Sequence, residues 1–390
     1  MHFDSKKFLL LIILATFMVA LIGSSDNTLV DEMTTQERLE KHPWWPTKLT
    51  TSNEKFAGSA VCAECHAEIA KSQRQSEMAQ SLTPASQAER LTSQYGKQLT
   101  VDGFTYQIAQ TSQGPSFTLK AENTSISKPL VWAFGSGKIS QVYVTPEGDT
   151  YNESHFSYFD DVHGFDITPA QPSVRVSGQN ELQDGAVRRA AGRQVQMHEV
   201  RRCFACHAAN VPAEGPIRGI LPGATCETCH GPGAAHAAAM RANLQNVGTL
   251  IMNPKHLRPV DQVDFCGACH ATSMDVQMSG SFGVPSVRFP AYRLQNSKCW
   301  RDDARIQCTA CHDPHKPLVH ETAAYDSRCL ACHVSGSEAK PDATRPGRSC
   351  PVAAKDCASC HMPKYEFPDV HHKFTDHQIR VVRQGETVPG

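Results

Sequence analysis

The chain has 390 residues, with 38 Lys and Arg against 39 Asp and Glu and a formal net charge of −1. That balance offers no basic footprint for nucleic acid, and the length allows two or three ordinary domains. Sixteen cysteines and 19 histidines point to metal, disulfide or cofactor chemistry rather than to an ordinary core.

Residues 1–25 read as an export signal: Lys6 and Lys7 precede the apolar run 8–22, and Gly23, Ser24 and Ser25 follow. The run is short for a membrane span, so cleavage near Gly23 is expected, with an uncleaved anchor over residues 6–23 as the alternative. Either outcome predicts a periplasmic or exported protein. Residues 26–57 are polar around Pro43-Trp44-Trp45-Pro46 and read as a linker.

The first Cys-x-x-Cys-His motif runs from Cys62 through Cys65 to His66, in a segment spanning 58–90 with helix formers after the motif. Residues 91–185 contain no cysteine. Runs 98–101 and 104–109 flank Asp102-Gly103, a two-residue hairpin signal, and further strands are expected at 116–119, 130–134, 139–144 and 151–158. This stretch reads as a β-rich insert between motifs 1 and 2. Phe134-Gly-Ser-Gly-Lys138 lacks the spacing of a phosphate loop and reads as a turn; His155 and His163 read as ordinary histidines.

From 186 to 380 the motifs crowd. Motif 2 is Cys203, Cys206, His207; motif 3 is Cys226, Cys229, His230; motif 4 is Cys266, Cys269, His270. Motif 5 is Cys308, Cys311, His312; motif 6 is Cys329, Cys332, His333; motif 7 is Cys357, Cys360, His361. Chance would give on the order of 0.03 such matches in a chain of this composition. Two thiols at this spacing form thioethers to the two vinyl groups of a porphyrin, and the adjacent His becomes the proximal iron ligand. Seven covalently bound c-type haems are therefore expected. Zinc ribbons are allowed by the spacing of Cys203/Cys206 with Cys226/Cys229 and of Cys308/Cys311 with Cys329/Cys332, but zinc does not require a His after every pair. A pure disulfide framework fails on the same histidines. The two cysteines left over, Cys299 and Cys350, are expected to pair. Residues 381–390 form a tail.

The run Ser59-Ala-Val-Cys62-Ala-Glu-Cys65-His66, with Ser76-Glu-Met78-Ala after it, resembles the first haem segment of the cytochrome c554/c-prime-like multihaem cytochromes. So do Cys226 to His236 (Cys-Glu-Thr-Cys-His-Gly-Pro-Gly-Ala-Ala-His), Cys308-Thr-Ala-Cys311-His312-Asp-Pro-His315, and the tail from Cys357 with His371-His-Lys-Phe-Thr-Asp-His377. The family commonly has a His where this chain has Met78. A helix continuing from His66 leads away from the open face of its own haem, so Met78, if it ligates, serves a neighbour; packing in a core is its other reading. The resemblance implies distal ligands at His236, His315, His371 and His377, with His198, His256 and His320 behind them. His371 is preferred over the adjacent His372.

The expected fold is mainly α with many loops, a haem-packed core over 186–380 and the β-rich insert. The expected function is an iron-dependent relay of single electrons between redox protein partners. Haem propionates make the holoprotein acidic, which suits a basic face on a partner. Two alternatives stay open. One is an oxidoreductase with an open haem acting on nitrite, hydroxylamine or nitric oxide, although the Cys-x-x-Cys-Lys motif of ammonia-forming nitrite reductases is missing. The other is a subunit of an extracellular haem conduit.

Overall fold

A computed structural model of the chain describes residues 35–121, 124–171, 174, 185–300, 306–335, 347–383 and 385–389. The expected export signal lies outside the described residues. The chain divides into two units, residues 1–43 and 44–390. In the first unit the described segment is a short helix, Thr35–Glu40. Everything below concerns the second.

The larger regular part is built of antiparallel strands. Strand β1 (Leu82–Pro84) is followed by β2 (Gln98–Val101), β3 (Phe104–Thr111), β4 (Gly114–Ala121) and β5 (Thr124–Pro129). Next come β6 (Trp132–Phe134), β7 (Ser140–Glu147), β8 (Thr150–Phe159), β9 (Gly164–Ile167) and β10 (Arg193–Val195). Strands β2 to β5 form a four-stranded meander, and β1-β6-β7-β8-β10 form a second sheet, with β9 paired to β8. The β2–β3 hairpin turns at Asp102 and Gly103, both with positive φ (52° and 83°), as a type I′ turn requires.

Alternation explains the core. Phe104, Tyr106 and Ile108 on β3 and Phe117 and Leu119 on β4 point inward and are fully buried. They meet Tyr143, Phe156 and Tyr158 of the second sheet in one cluster, with Phe117 edge-on to Phe156 at 5.3 Å between centroids. Each such side chain contributes about 1.5–3 kcal/mol of apolar burial, so the two sheets make a core from protein atoms alone. The helix Gly185–Ala191 closes it, its Ala190 carbonyl accepting a hydrogen bond from the Tyr106 hydroxyl at 2.7 Å. His155 lies inside this core, bonded to Gln171 at 3.0 Å.

The expectation of a mainly α chain is overturned. Of the described residues 35% are helical and 24% are strand, in several sheets, so the fold is mixed. The physical reason lies in the motifs. Two thiols and a His at i, i+3 and i+4 share a face within one helical turn, and most motifs build no more than that. Helices such as Cys226–His230, Cys308–Cys311 and Cys357–His361 are four or five residues long. Small two-stranded sheets separate them: β11 (Ala208–Ala209) with β12 (Leu221–Pro222), β13 (His333–Ser335) parallel to β14 (Gly347–Cys350), and β15 (Lys364–Phe367) with β16 (His372–Thr375).

Candidate haem-attachment sites

Motif 2 ends the helix Met197–His207, which starts in a capping box between Gln196 and Glu199. Its Phe204 packs on Trp132, Phe134 and Tyr151 of the second sheet at 5.0–6.1 Å. Motif 4 ends the helix Pro259–His270, with Pro at the first turn where its missing N–H is harmless. In both, a regular helix delivers the thiols and the imidazole at its last turn.

The imidazoles are oriented by main-chain carbonyls. Nδ1 of His207 donates to Ser81 O, that of His230 to Met252 O, and that of His361 to Arg380 O, each at 2.8 Å. A carbonyl only accepts, so Nδ1 carries the proton and Nε2 keeps its lone pair, the arrangement metal-ligating histidines use. Two candidate distal ligands share it: His236 donates to Val247 O at 3.0 Å and His377 to Thr375 O at 3.1 Å.

Two imidazole pairs face each other. His230 and His315 have ring centroids 6.1 Å apart with planes 10° from parallel, and His312 and His377 stand 6.3 Å apart at 43°. Two imidazoles that held one iron between them, at about 2.0 Å per bond and about 1.2 Å from nitrogen to ring centre, would have centroids roughly 6.4 Å apart. The residues fit the group. Burial lowers the pKa of His207, His230, His270 and His312, and burial followed by the neighbouring His312 brings His377 down to about 4. These imidazoles are neutral at neutral pH, the form that ligates metal.

The remaining candidates fall into two groups. His198, His256 and His320 are exposed on the surface, as is His66 of motif 1. The adjacent pair 371–372 is held by carboxylates: His371 Nε2 meets Asp166 at 2.8 Å, and His372 Nδ1 meets Asp161 at 3.0 Å. His371 thus presents Nε2 to a carboxylate and His372 presents Nδ1. Met78 is tied through its carbonyl to Ala224 N–H at 2.9 Å, two residues before motif 3. It therefore stands beside a neighbouring motif. There Gly223 (φ 82°) passes so close to Ala79 that a Cβ would collide with the Ala79 carbonyl oxygen; only glycine serves.

Cys299 and Cys350 are not bonded to each other in the structure. Cys299 lies beside Cys329, Cys332 and Cys311, while the Cys350 thiol bonds to the backbone of Ala353 and Val352. The zinc pairing that the spacing allowed for motifs 2 and 3 is not that of the fold: the Cys206 thiol donates to Ala268 O of motif 4 at 3.8 Å, and the Cys226 thiol to Ser59 Oγ beside motif 1 at 3.7 Å.

Sequence reasoning missed the residues that position these motifs. Glu227, inside motif 3 and 1% exposed, accepts N–H bonds from Ala57 and Gly58 at 2.7 Å and from Gly233 at 2.8 Å. It thereby fixes the approach to motif 1 and the turn leading to His236. Trp44 Nε1 donates to Thr228 O at 2.8 Å. Asp326 accepts from the N–H groups of Asp356 at 2.6 Å and Cys357 at 2.8 Å, joining motifs 6 and 7. Arg293 and Asp376, both fully buried, form a two-pronged ion pair at 2.8 Å, and Arg380 adds a third member at 2.6 Å. An acidic residue inside a motif was a signal for Glu227; nothing in the local sequence marked Arg293.

Residues 171–231 match the family model described as cytochrome c554 and c-prime. None of the curated proteins matches the chain. Among solved structures, one titled "Crystal Structure of Outer Cell Wall Cytochrome OcwA" is similar at 13% identity and a TM-score of 0.49, covering 84% of this chain and 80% of that one. The repeated motifs and the matched segment support a c-type multihaem cytochrome, a class that holds haem c covalently. No helix among the described residues is long and apolar enough to cross a membrane.

Proposed function

We propose that this c-type multihaem cytochrome carries seven haems and relays single electrons between redox protein partners outside the inner membrane. The observation that carries the reading is the pair of facing imidazoles, His230 with His315 and His312 with His377, at the separation one iron needs. Two histidines on one iron give a low-spin centre with no position for substrate, which suits electron transfer. When bound, the haem supplies a reversible one-electron couple. The chain's own residues attach it, set its potential through the axial ligands and hold those ligands still.

In this reading the motif cysteines form the thioethers and the motif histidines are proximal. His315 and His377 are distal ligands of motifs 3 and 5. His236 is a further distal ligand: its helix Ala234–Arg241 is clamped to motif 1 by the Arg241–Glu64 pair at 2.6 Å. His372 takes the role first assigned to His371. Export is directed by residues 1–25.

Replacing His377 or His315 with Ala should each convert one haem from low-spin to high-spin and let the reduced protein bind one equivalent of CO. Optical and EPR spectra with and without CO read this directly. A variant that stays fully low-spin would remove that residue from the ligand set, and a wild-type pyridine haemochrome count below seven would remove the heptahaem reading.

A further inference from the structure

The tail of the chain folds back on motif 7. The Arg380 N–H donates to His361 O at 3.2 Å, the Arg380 carbonyl accepts from Nδ1 of the same histidine at 2.8 Å, and the Asp376 N–H donates to Pro363 O at 2.9 Å. Tyr365 on β15, just past motif 7, accepts from Arg380 Nη2 at 2.9 Å. The Arg380 guanidinium is thereby held beside the segment that supplies the proximal ligand of motif 7.

Its charge is not matched. Arg293 and Asp376 are 0% exposed and Arg380 is 7% exposed, and the one carboxylate takes bonds from both guanidinium groups. Arginine keeps its proton in proteins, and the bonds that hold Asp376 below the ordinary carboxylate range keep it ionised. Two positive charges against one negative leave a surplus of one positive charge away from water, where an unpaired charge is costly. The other groups that face the trio do not remove it. Tyr365, the Ser286 hydroxyl and the carbonyls of Gln378 and Pro389 are neutral partners, and the imidazoles of His361 and His377 carry no negative charge. Arg288, over the Phe367 ring on the same face of β15 as Tyr365, is a further cation.

A second observation gives the surplus a direction. Arg380 donates from Nη1 to Asp376 at 2.6 Å and to Gln378 O at 3.0 Å, and from Nη2 to Tyr365. Its Nε is buried and makes no hydrogen bond among the described residues. Nε belongs to the planar fork through which arginine takes a carboxylate. A carboxylate fits both the surplus charge and the unused donor.

We propose that Arg380 binds, through Nε, a propionate of the haem attached at motif 7, with Asp376 and Tyr365 holding the guanidinium in place for that contact. This rests on the multihaem reading above. The anion is the carboxylate carried by the same group whose iron His361 ligates. No bond is made or broken; an ion pair takes the place of a buried unpaired charge.

The test uses the full-length holoprotein, Arg380→Gln, the motif 7 variant Cys357→Ser/Cys360→Ser, and the two combined. The cysteine variant should lose one haem by pyridine haemochrome and one EPR signal, which identifies the motif 7 haem. In an EPR-monitored redox titration over about pH 6 to 8, Arg380→Gln should make the potential of that haem fall with rising pH more steeply than in the wild type, because burial lifts the pKa of a carboxyl that has lost its counter-ion. In a double-mutant cycle on thermal unfolding, Arg380→Gln should lower Tm in the wild type and lower it less, or raise it, in the motif 7 variant. Equal losses in both backgrounds would mean that the anion belongs to the chain; an unchanged slope, or a slope gained by another haem, would take the motif 7 propionate off Arg380. Each of these overturns the proposal. Should Arg380→Gln fail to mature, Arg380→Lys, which keeps the charge without the fork, replaces it in the cycle, and equal losses again overturn the proposal. Should the cysteine variant fail to mature, the slope in Arg380→Gln decides alone, and its absence from every haem overturns the proposal. A haem count that the cysteine substitutions leave unchanged would show that motif 7 carries no haem and would overturn the heptahaem reading and this inference together, whereas a count that falls by one without either effect overturns this inference alone.

Discussion

Asp376→Asn should destabilise the holoprotein by about 3–5 kcal/mol, the range seen when one member of a buried ion pair is removed. The carboxylate is fully buried and bonded to Arg293 through Nε and one terminal nitrogen, to Arg380, and to the N–H of Gln378 at 3.0 Å. Without its charge, the fully buried guanidinium of Arg293 loses its counter-ion. The effect is local as well as global. His377 follows Asp376 directly, and the Arg380 carbonyl holds Nδ1 of His361, so two candidate iron ligands lose their supports together. Thermal unfolding followed at the Soret band should show a lower Tm and partial high-spin character before unfolding begins. An unchanged Tm would mean that the network is dispensable.

The pH dependence has a definite sign. Burial alone raises the Asp376 pKa, but the hydrogen bonds from Arg293, Gln378 and Arg380 outweigh it and hold the carboxyl below its ordinary value. A group whose folded pKa is depressed contributes stability above the ordinary carboxylate range and loses it as pH falls through the folded value. The wild type should therefore lose stability on acidification through that window, and the Asn variant should show a flatter acid limb.

Glu227→Gln should act where motifs 1 and 3 meet. Three backbone N–H groups converge on this carboxylate, and a hydrogen bond to a charged group contributes about 1.5–3 kcal/mol. A glutamine amide offers one acceptor oxygen and an NH2 group that must face a donor, so at least one N–H loses its partner. A stability loss of about 2–4 kcal/mol should come with weakened attachment at motif 1, because Ala57 and Gly58 lead straight into it. Thermal unfolding measures the first effect. Intact-mass counting of haems measures the second, and an undiminished count would confine Glu227 to a stabilising role.

What the sequence disclosed follows from how local each signal is. Attachment motifs are covalent spacings within five residues, and the Asp102-Gly103 hairpin is a two-residue conformational demand, so both could be read directly. Glu227 and its partners Ala57 and Gly58 are about 170 residues apart, and Arg293 is 83 residues from Asp376; neither separation leaves a periodic trace. Strands β1 and β10 are three residues each, too short to show alternation. The expectation of a mainly α chain came from helix formers near the motifs, whereas one turn per motif suffices and loops complete the rest. Adjacent histidines at 371 and 372 meet different carboxylates, Asp166 and Asp161, contributed from more than 200 residues upstream.

The two sheets carry a core of aromatic side chains that owes nothing to the motifs. The short motif helices are tied instead by isolated carboxylates and carbonyls. Such a molecule has two classes of cooperative unit. Amide hydrogen exchange on the chain before haem attachment should find slowly exchanging protons in β3, β4, β7 and β8, and near-unprotected ones over 226–230, 308–311 and 357–361. Protection in the second set should appear only after attachment. Maturation of this chain is then the ordering of a loose polypeptide around a framework that already stands, with the second sheet holding the motif 2 helix out through Phe204 as the first structured handle.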